Sequence, residues 1–432
     1  MSDISSNKRD SLSVDDPAAP IGALNKGLGS MDRAFSPGEI GSLGWHLLRE
    51  DLSLPTAVLY EDRLAHNLRW MQEFVSAYGM KLAPHGKTTM APKLFARQLE
   101  AGAWGITLAT VQQTRVAYAH GVRRVLMANQ LVGRQNMAAV ARLVEDIEFE
   151  YFCLVDSAPH VELLDSFFKA RGKRLKVLLE IGADGGRTGV RSQQQLQVLL
   201  DRLSRCREHI VLCGVEVFEG VLKDEASIRL LLNKTADTLR KLAQEKLFDR
   251  TPVILSGAGS AWYDVVAEVF SKVEIGQPLD VVLRPGCYLT HDVGVYRQAQ
   301  REIQNRNPVA KRLGLGLQPA LQVWAYVQSL PETEKAIIAL GKRDAAFDAG
   351  LPTPVLHYRP GSAAPVAAPA VWELTGMMDQ HAYMKVSDGA DIRVGDLIGF
   401  DISHPCLTFD KWRCLPVLDA AYRVIDVVQT YF

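Results

Sequence analysis

Between Asp51 and Gly294 the chain repeats one pattern eight times: a short apolar run, a polar or glycine-bearing loop, then an amphipathic helical stretch. The apolar runs are Lys81–Pro84, Gly105–Ala109, Arg124–Ala128, Phe149–Val155, Lys176–Ile181, Leu212–Phe218, Pro252–Leu255 and Asp280–Leu283. The stretches between them, such as Ala91–Ala101 and Ser192–Arg205, carry apolar residues at spacings of three and four, the stripe of a helix packed on one face. Eight strand–helix units in roughly 240 residues read as an α/β fold, a (β/α)8 barrel. A doubly wound open sheet is the alternative. It usually has fewer strands, and no Gly-x-Gly-x-x-Gly follows the first strand here.

In such a barrel the chemistry collects where the strands end. The expected ends carry Lys87, Thr110, Asn129, Asp156, Arg187, Glu219, Gly257–Ser260 and Arg284, a rim of polar groups and glycines. After about Tyr296 the rhythm changes. Residues 316–330, 335–341, Val394–Ile402 and Ala421–Thr430 read as strands, and Gly350–Pro369, rich in Pro, Ala and Gly, reads as a loop. The expected organisation is an N-terminal arm over residues 1–50, partly disordered up to about residue 30 or joining the β-domain. A barrel follows over 51–295 and a β-rich domain over 296–432. A chain of 432 residues exceeds one compact core and suits two domains.

Lys+Arg and Asp+Glu balance at 49 each, which gives no electrostatic footprint for nucleic acid or an anionic membrane. No apolar stretch reaches the ~18 residues of a membrane span, and Met1–Asp16 lacks the apolar segment of a secretory signal. The six cysteines are scattered, several in apolar runs. All but Cys406 read as reduced, buried thiols of a cytoplasmic protein.

Two runs carry unusual chemistry. In Lys81-Leu-Ala-Pro-His-Gly-Lys-Thr-Thr-Met90, Lys87 follows a buried strand. A lysine held in such a pocket is desolvated and becomes a nucleophile toward a carbonyl, the property an aldehyde cofactor needs. The turn Leu255-Ser-Gly-Ala-Gly-Ser260 offers backbone N–H groups and a helix start to a phosphate at the seventh strand. In Gly182-Ala-Asp-Gly-Gly-Arg-Thr-Gly-Val190, Arg187 can donate to a cofactor oxygen or a substrate carboxylate. Far downstream stands Ser403-His-Pro-Cys-Leu-Thr-Phe-Asp-Lys-Trp412. Pro405 pushes His404 into the extended region, where positions i and i+2 share a face, so His404 and Cys406 can reach one ion. Imidazole plus thiolate favours zinc. Asp292 and His381 are possible helpers to substrate or metal.

Together Pro84-His-Gly-Lys-Thr, Gly186-Arg-Thr-Gly-Val190, Ser256-Gly-Ala-Gly-Ser260, Arg284-Pro-Gly-Cys-Tyr288 and His404-Pro-Cys-Leu-Thr-Phe-Asp-Lys-Trp412 resemble the D-serine dehydratase and D-threonine aldolase family, from about Leu54 to the C-terminus. The resemblance implies an alanine-racemase-type barrel with pyridoxal 5'-phosphate (PLP) on Lys87. His85, Arg187, Ser256, Gly257, Ala258, Gly259, Ser260 and Tyr288 would be further cofactor contacts, and His404 and Cys406 would hold the metal. It also implies a homodimer with the active site near the subunit interface. Cysteine two residues after the metal histidine resembles the zinc-dependent dehydratase branch, where the aldolases typically have aspartate. Where relatives often show Tyr-His-Gly this chain has Phe218-Glu-Gly220, and Met378-Asp-Gln-His381 is a changed form of the family's acidic-acidic-His run. The expected activity is β-elimination from a D-β-hydroxy amino acid such as D-serine or D-threonine, giving a 2-keto acid and ammonia. The alternatives are retro-aldol cleavage to glycine and an aldehyde, or PLP binding without turnover.

Overall fold

The structure is a computed structural model, and it describes residues 20–432. Its first half is the expected barrel. The strands are β2 (Lys81–Leu82), β3 (Ile106–Leu108), β4 (Arg124–Gln130), β5 (Glu150–Val155), β6 (Leu175–Ile181), β7 (Ile210–Val217), β8 (Val253–Gly257) and β9 (Leu279–Leu283), counted after a strand β1 (Thr56–Tyr60) that lies elsewhere. They pair in parallel in the order β2-β9-β8-β7-β6-β5-β4-β3. The sheet closes through a parallel bridge between His85 and Thr107, with Thr107 N–H donating to Pro84 O at 2.8 Å and Thr107 Oγ1–H to Ala83 O at 2.7 Å.

Both faces of these strands are covered, so every residue of β7 is buried. Ala83, Leu126, Phe152, Leu178, Ile254 and Val282 fill the barrel interior. The outer layer follows the helical stripe read from the sequence. In the helix Gln193–Arg205 the buried residues are Leu196, Leu199, Leu200 and Leu203, each burial stabilising by roughly 1.5–3 kcal/mol. A capping box at Ser192 and Gln195 starts this helix. Gly214 in β7 lies against the Ile254 carbonyl of β8, leaving no room for a side chain.

The second domain is built on one long sheet. Its strands are β10 (Leu321–Glu332), β11 (Lys335–Ile338), β12 (Thr353–Tyr358), β13 (Val366–Ala367), β14 (Glu373–Met377), β15 (Ala382–Lys385), β16 (Leu397–Asp401), β17 (Cys414–Leu418) and β18 (Val424–Gln429). The order is β13-β12-β16-β10-β1-β17-β18, with β11, β15 and β14 extending from β10.

Several expectations shift. The barrel boundary expected at residue 51 falls after Tyr60, because β1 pairs with β10 and β17 of the second sheet. The boundary expected at 296 falls after Arg312. The helix Val295–Arg306 packs on the barrel through Tyr263 Oη–H donating to Gln300 Oε1 at 2.6 Å and an Arg306–Asp264 ion pair at 2.7 Å. Residues 1–19 of the expected disordered arm lie outside the described residues. From Ile21 onward the arm is ordered: Ile21, Leu28, Ile40 and Leu47 pack with Trp324 and Leu397 of the second sheet. The loop expected over 350–369 contains β12 and β13, which pair at the sheet edge. There Pro354 sits at a bulge and removes no interior ladder bond.

Candidate active site

A cleft of about 380 Å³ opens at the C-terminal ends of the barrel strands, walled on one side by the second domain. Lys87 enters it from the 3-10 turn Gly86–Thr88 after β2. This turn is pressed inward, since Gly86 lies against Phe95 and Ile106 with no space for a side chain. Lys87 itself is exposed to the cleft. The desolvation expected of it is not supplied by the atoms of a single chain.

His85, beside it, is half-buried and lines the same cleft. Burial, and after it the cations Lys87, Arg284 and Arg187, hold its imidazole well below the usual histidine range, so it is neutral. Arg187 lines the opposite wall from the glycine loop after β6, its guanidinium 5.1 Å from the centre of the Phe218 ring. The loop is tied down by Gly189 N–H donating to Asp156 Oδ2 at 3.1 Å and by Thr188 Oγ1–H donating to Glu180 Oε1 at 2.6 Å.

The anion-binding turn is partly as expected. Ala258, Gly259 and Ser260 reach the cleft, whereas Ser256 and Gly257 are strand residues inside β8. Ser256 Oγ–H donates to Val282 O at 3.0 Å and faces the neighbouring strand. The N–H groups of Ala258 and Gly259 already donate to the buried Glu219 carboxylate, at 3.2 and 2.7 Å. Burial raises the Glu219 carboxyl above the usual range while these N–H donors oppose the rise. The donors converging in the cleft are different ones. Gly286 and Cys287 N–H both point at Ser260 Oγ, at 3.2 Å each. Gly286 has no room for a side chain, since a Cβ would meet His85 O and Thr88 Oγ1 at 2.7 Å. A cradle of two N–H groups and a rotatable hydroxyl, lining the same cavity as Lys87, fits the phosphate of PLP.

Tyr288 does not face the cleft. It is buried, and Gln98 Nε2–H donates to its hydroxyl at 3.1 Å. In the 3-10 turn Cys287–Leu289 adjacent side chains point apart, so Cys287 faces the cleft and Tyr288 the core. Tyr296, not singled out from the sequence, lines the wall. Beneath the cleft Arg284 donates to Glu216 and, at 3.2 Å, to Val217 O, while Arg284 Nε and Glu216 Oε2 have no partner. Burial pushes Glu216 up to about 8 against the pull of Arg284.

The second domain brings its pair to the same cleft. His404 caps the short helix Pro405–Phe409 in extended geometry (φ −151°, ψ 106°), and Cys406 lies on that helix, so His404 and Cys406 both line the cavity. Asp348 Oδ2 lies 2.8 Å from His404 Nδ1, and the ring also hydrogen-bonds the Cys406 sulfur. Cys406 Sγ is 3.4 Å from Thr88 Oγ1 and 4.0 Å from Cys287 Sγ. A neighbouring thiol, His404 and Thr88 together hold Cys406 low, as thiolate. A fixed imidazole beside a thiolate suits a soft divalent ion such as zinc.

The expected helpers divide. Asp292 is buried behind His404, and burial pushes its carboxyl up to about 6. Its Oδ1 accepts from Gly294 N–H at 2.8 Å and Tyr296 N–H at 3.2 Å, while Oδ2 has no partner. His381 is exposed in the turn between β14 and β15 and does not line the cleft, because the Met378–His381 turn closes on itself through Met378 N–H donating to His381 O at 2.8 Å. Asp348 and Cys287 were the residues the sequence reading passed over. Asp348 had no signal, whereas Cys287, three residues after a strand-end arginine, had one.

Comparison with known proteins bears on the family and the fold. The family described as alanine racemase, N-terminal domain, matches residues 60–288, and the putative serine dehydratase domain matches residues 320–418. D-threo-3-hydroxyaspartate dehydratase of Delftia sp. (strain HT23) is 31% identical over 139 residues, covering 32% of this chain and only 36% of that protein. The 3-hydroxy-D-aspartate aldolase of Paracoccus denitrificans (strain Pd 1222) is 21% identical over 315 residues, covering 70% of this chain and 75% of that protein. Among solved structures, D-threonine aldolase from Filomicrobium marinum shares the fold, with a TM-score of 0.74 at 21% identity, covering 90% of this chain and 97% of that one. A cysteine-to-alanine mutant of D-threo-3-hydroxyaspartate dehydratase, described as its metal-free form, gives 0.69 at 20% identity, covering 90% and 99%. With a barrel matched across more than half of its length and a dehydratase-type second domain behind it, the chain belongs to the alanine-racemase-like family of D-serine dehydratases and D-threonine aldolases.

Proposed function

We propose that this chain is a PLP- and zinc-dependent lyase that eliminates water from a D-β-hydroxy amino acid such as D-serine or D-threonine, giving a 2-keto acid and ammonia. One observation carries the reading: Lys87, the Ser260–Gly286–Cys287 donor set and the His404–Cys406 pair all open on a single cavity. The family's lyase chemistry needs those three parts together.

When bound, PLP supplies an electron sink for the charge released at the substrate Cα. Zinc held by His404 and Cys406 would act as a Lewis acid for the β-hydroxyl oxygen, a poor leaving group on its own. The chain's own residues do the rest. Lys87 Nζ would hold the cofactor and, once the substrate amine displaces it, would be the base placed for the Cα proton. The N–H groups of Gly286 and Cys287 and the Ser260 hydroxyl would hold its phosphate. Arg187 presents a cation for the substrate carboxylate, and neutral His85 keeps a further positive charge out of the floor. A homodimer belongs to the same proposal: the exposure of Lys87 and Arg187 in one chain supports a second copy covering the cleft mouth. So does a cytoplasmic setting, which keeps Cys287 and Cys406 reduced. Among the described residues no helix is long and apolar enough to cross a membrane.

Retro-aldol cleavage is the second reading, favoured by the aldolases among the similar proteins. The test is turnover of D-serine, D-threonine and D-3-hydroxyaspartate, measuring keto acid with ammonia against glycine with aldehyde. Keto acid and ammonia support elimination, and glycine with aldehyde replaces it by the aldolase reading. A visible cofactor absorbance that survives Lys87→Ala would remove Lys87 from its role.

A further inference from the structure

The metal reading above leaves an incomplete ligand set. Two protein ligands are fewer than the three that catalytic zinc sites commonly use. Among the described residues no three His, Cys, Asp or Glu side chains already enclose one point. Yet Cys287 Sγ stands 4.0 Å from Cys406 Sγ. Two thiolates on one tetrahedral zinc, each ~2.3 Å from the ion, stand ~3.8 Å apart. A disulfide would need ~2.05 Å. The two sulfurs are therefore spaced as ligands of one ion.

The spacing is imposed by two separate backbones. Cys287 is fixed by the turn after β9, where Gly286 has no room to shift against His85 and Thr88. Cys406 is fixed by the helix Pro405–Phe409 of the second domain, and its sulfur is 3.4 Å from Thr88 Oγ1. Of the five buried cysteines only Cys287 lines the cleft. Cys406 is in contact with both Cys287 and His404 and so sits at the centre of the group.

We propose that Cys287 is the third protein ligand of the metal, making a His404–Cys406–Cys287 set that assembles on the ion and leaves one tetrahedral position for the substrate hydroxyl. The inference rests on the metal reading of the proposed function. Two thiolates and an imidazole make a soft set that selects zinc over magnesium or manganese. The same residue joins the metal to the phosphate cradle, since Cys287 N–H points at Ser260 Oγ.

The test is zinc K-edge X-ray absorption on the full, cofactor-containing chain, counting sulfur neighbours, with zinc affinity measured by chelator competition. The expected result is two sulfurs in the native chain and one in both Cys287→Ser and Cys287→Ala, with affinity lowered at least tenfold. Two variants of different polarity guard against a local folding defect. One sulfur in the native chain, with zinc released by His404→Ala, would overturn the role of Cys287 and leave the metal reading standing. No zinc in the native chain would overturn both. A Cys287–Cys406 disulfide in the mass spectrum of the zinc-treated chain would also overturn the proposal.

Discussion

His404 Nδ1 lies 2.8 Å from Asp348 Oδ2, across 56 residues of sequence. The pairing holds the imidazole through Nδ1 and would leave Nε2, on the side of Cys406, free for the proposed metal. Carboxylate partners of this kind raise ligand basicity and orient the ring, and their loss typically costs 10–100-fold in metal affinity. Asp348→Asn is therefore expected to weaken zinc binding by roughly 10–100-fold. Asp348 is partly exposed, so the fold should not change. Chelator competition on the purified chain decides it, and equal affinity in the two proteins would remove Asp348 from the site.

Glu219 receives the N–H groups of Ala258 and Gly259 where a phosphate contact was expected. Glu219→Ala leaves both donors without that acceptor, at a local cost of about 1–3 kcal/mol. Amide hydrogen exchange at Ala258–Ser260 should then speed up roughly tenfold or more. Unchanged protection there would show that the turn holds without the carboxylate.

Arg284 and Glu216 are a buried pair on the cleft floor, 4% and 1% exposed. Removing one member strands the other. Arg284→Met is expected to destabilise by about 3–5 kcal/mol, and adding Glu216→Leu should recover most of the loss. Denaturant unfolding of the three variants tests this. A double variant no more stable than the single one would mean that the pair is not the source of the cost.

His291 is buried, and desolvation lowers it to about 4 from the ordinary histidine value of 6.5. The unfolded chain therefore binds the proton more readily below 6.5. The stability contribution is fully present above 6.5 and is lost as pH falls toward and through 4, by at most about 3 kcal/mol. His291→Asn, which tolerates the left-handed φ of 49° at this position, should flatten the pH dependence of unfolding between 7 and 4 by about that amount. An identical slope in both proteins would assign the acid sensitivity to other groups.

The barrel was legible because a buried parallel strand with a helix on its far side leaves two periodicities in one chain, and both repeat eight times. Lys87, Arg187 and the turn at Gly259–Ser260 could be placed on the rim for the same reason. Strand β12 was hidden because Pro354 and the glycines around it dilute the apolar run, and Pro354 is tolerated because it sits at a bulge outside the residues that pair with β13. Tyr288, a cofactor contact implied by the resemblance, is buried outside the cleft lining, because a motif does not show which side of a 3-10 turn faces the cleft.

By itself the sequence determined the fold class, and it placed Lys87 at a strand end and His404 and Cys406 two residues apart, because each depends on local spacing along the chain. Only the tertiary structure decided that Cys287 stands 4.0 Å from Cys406, that Asp348 holds His404, and that Glu219 fills the turn expected for phosphate. Those contacts join residues 40 to 119 positions apart across strands and domains, where closure of the barrel and docking of the second sheet set the distances.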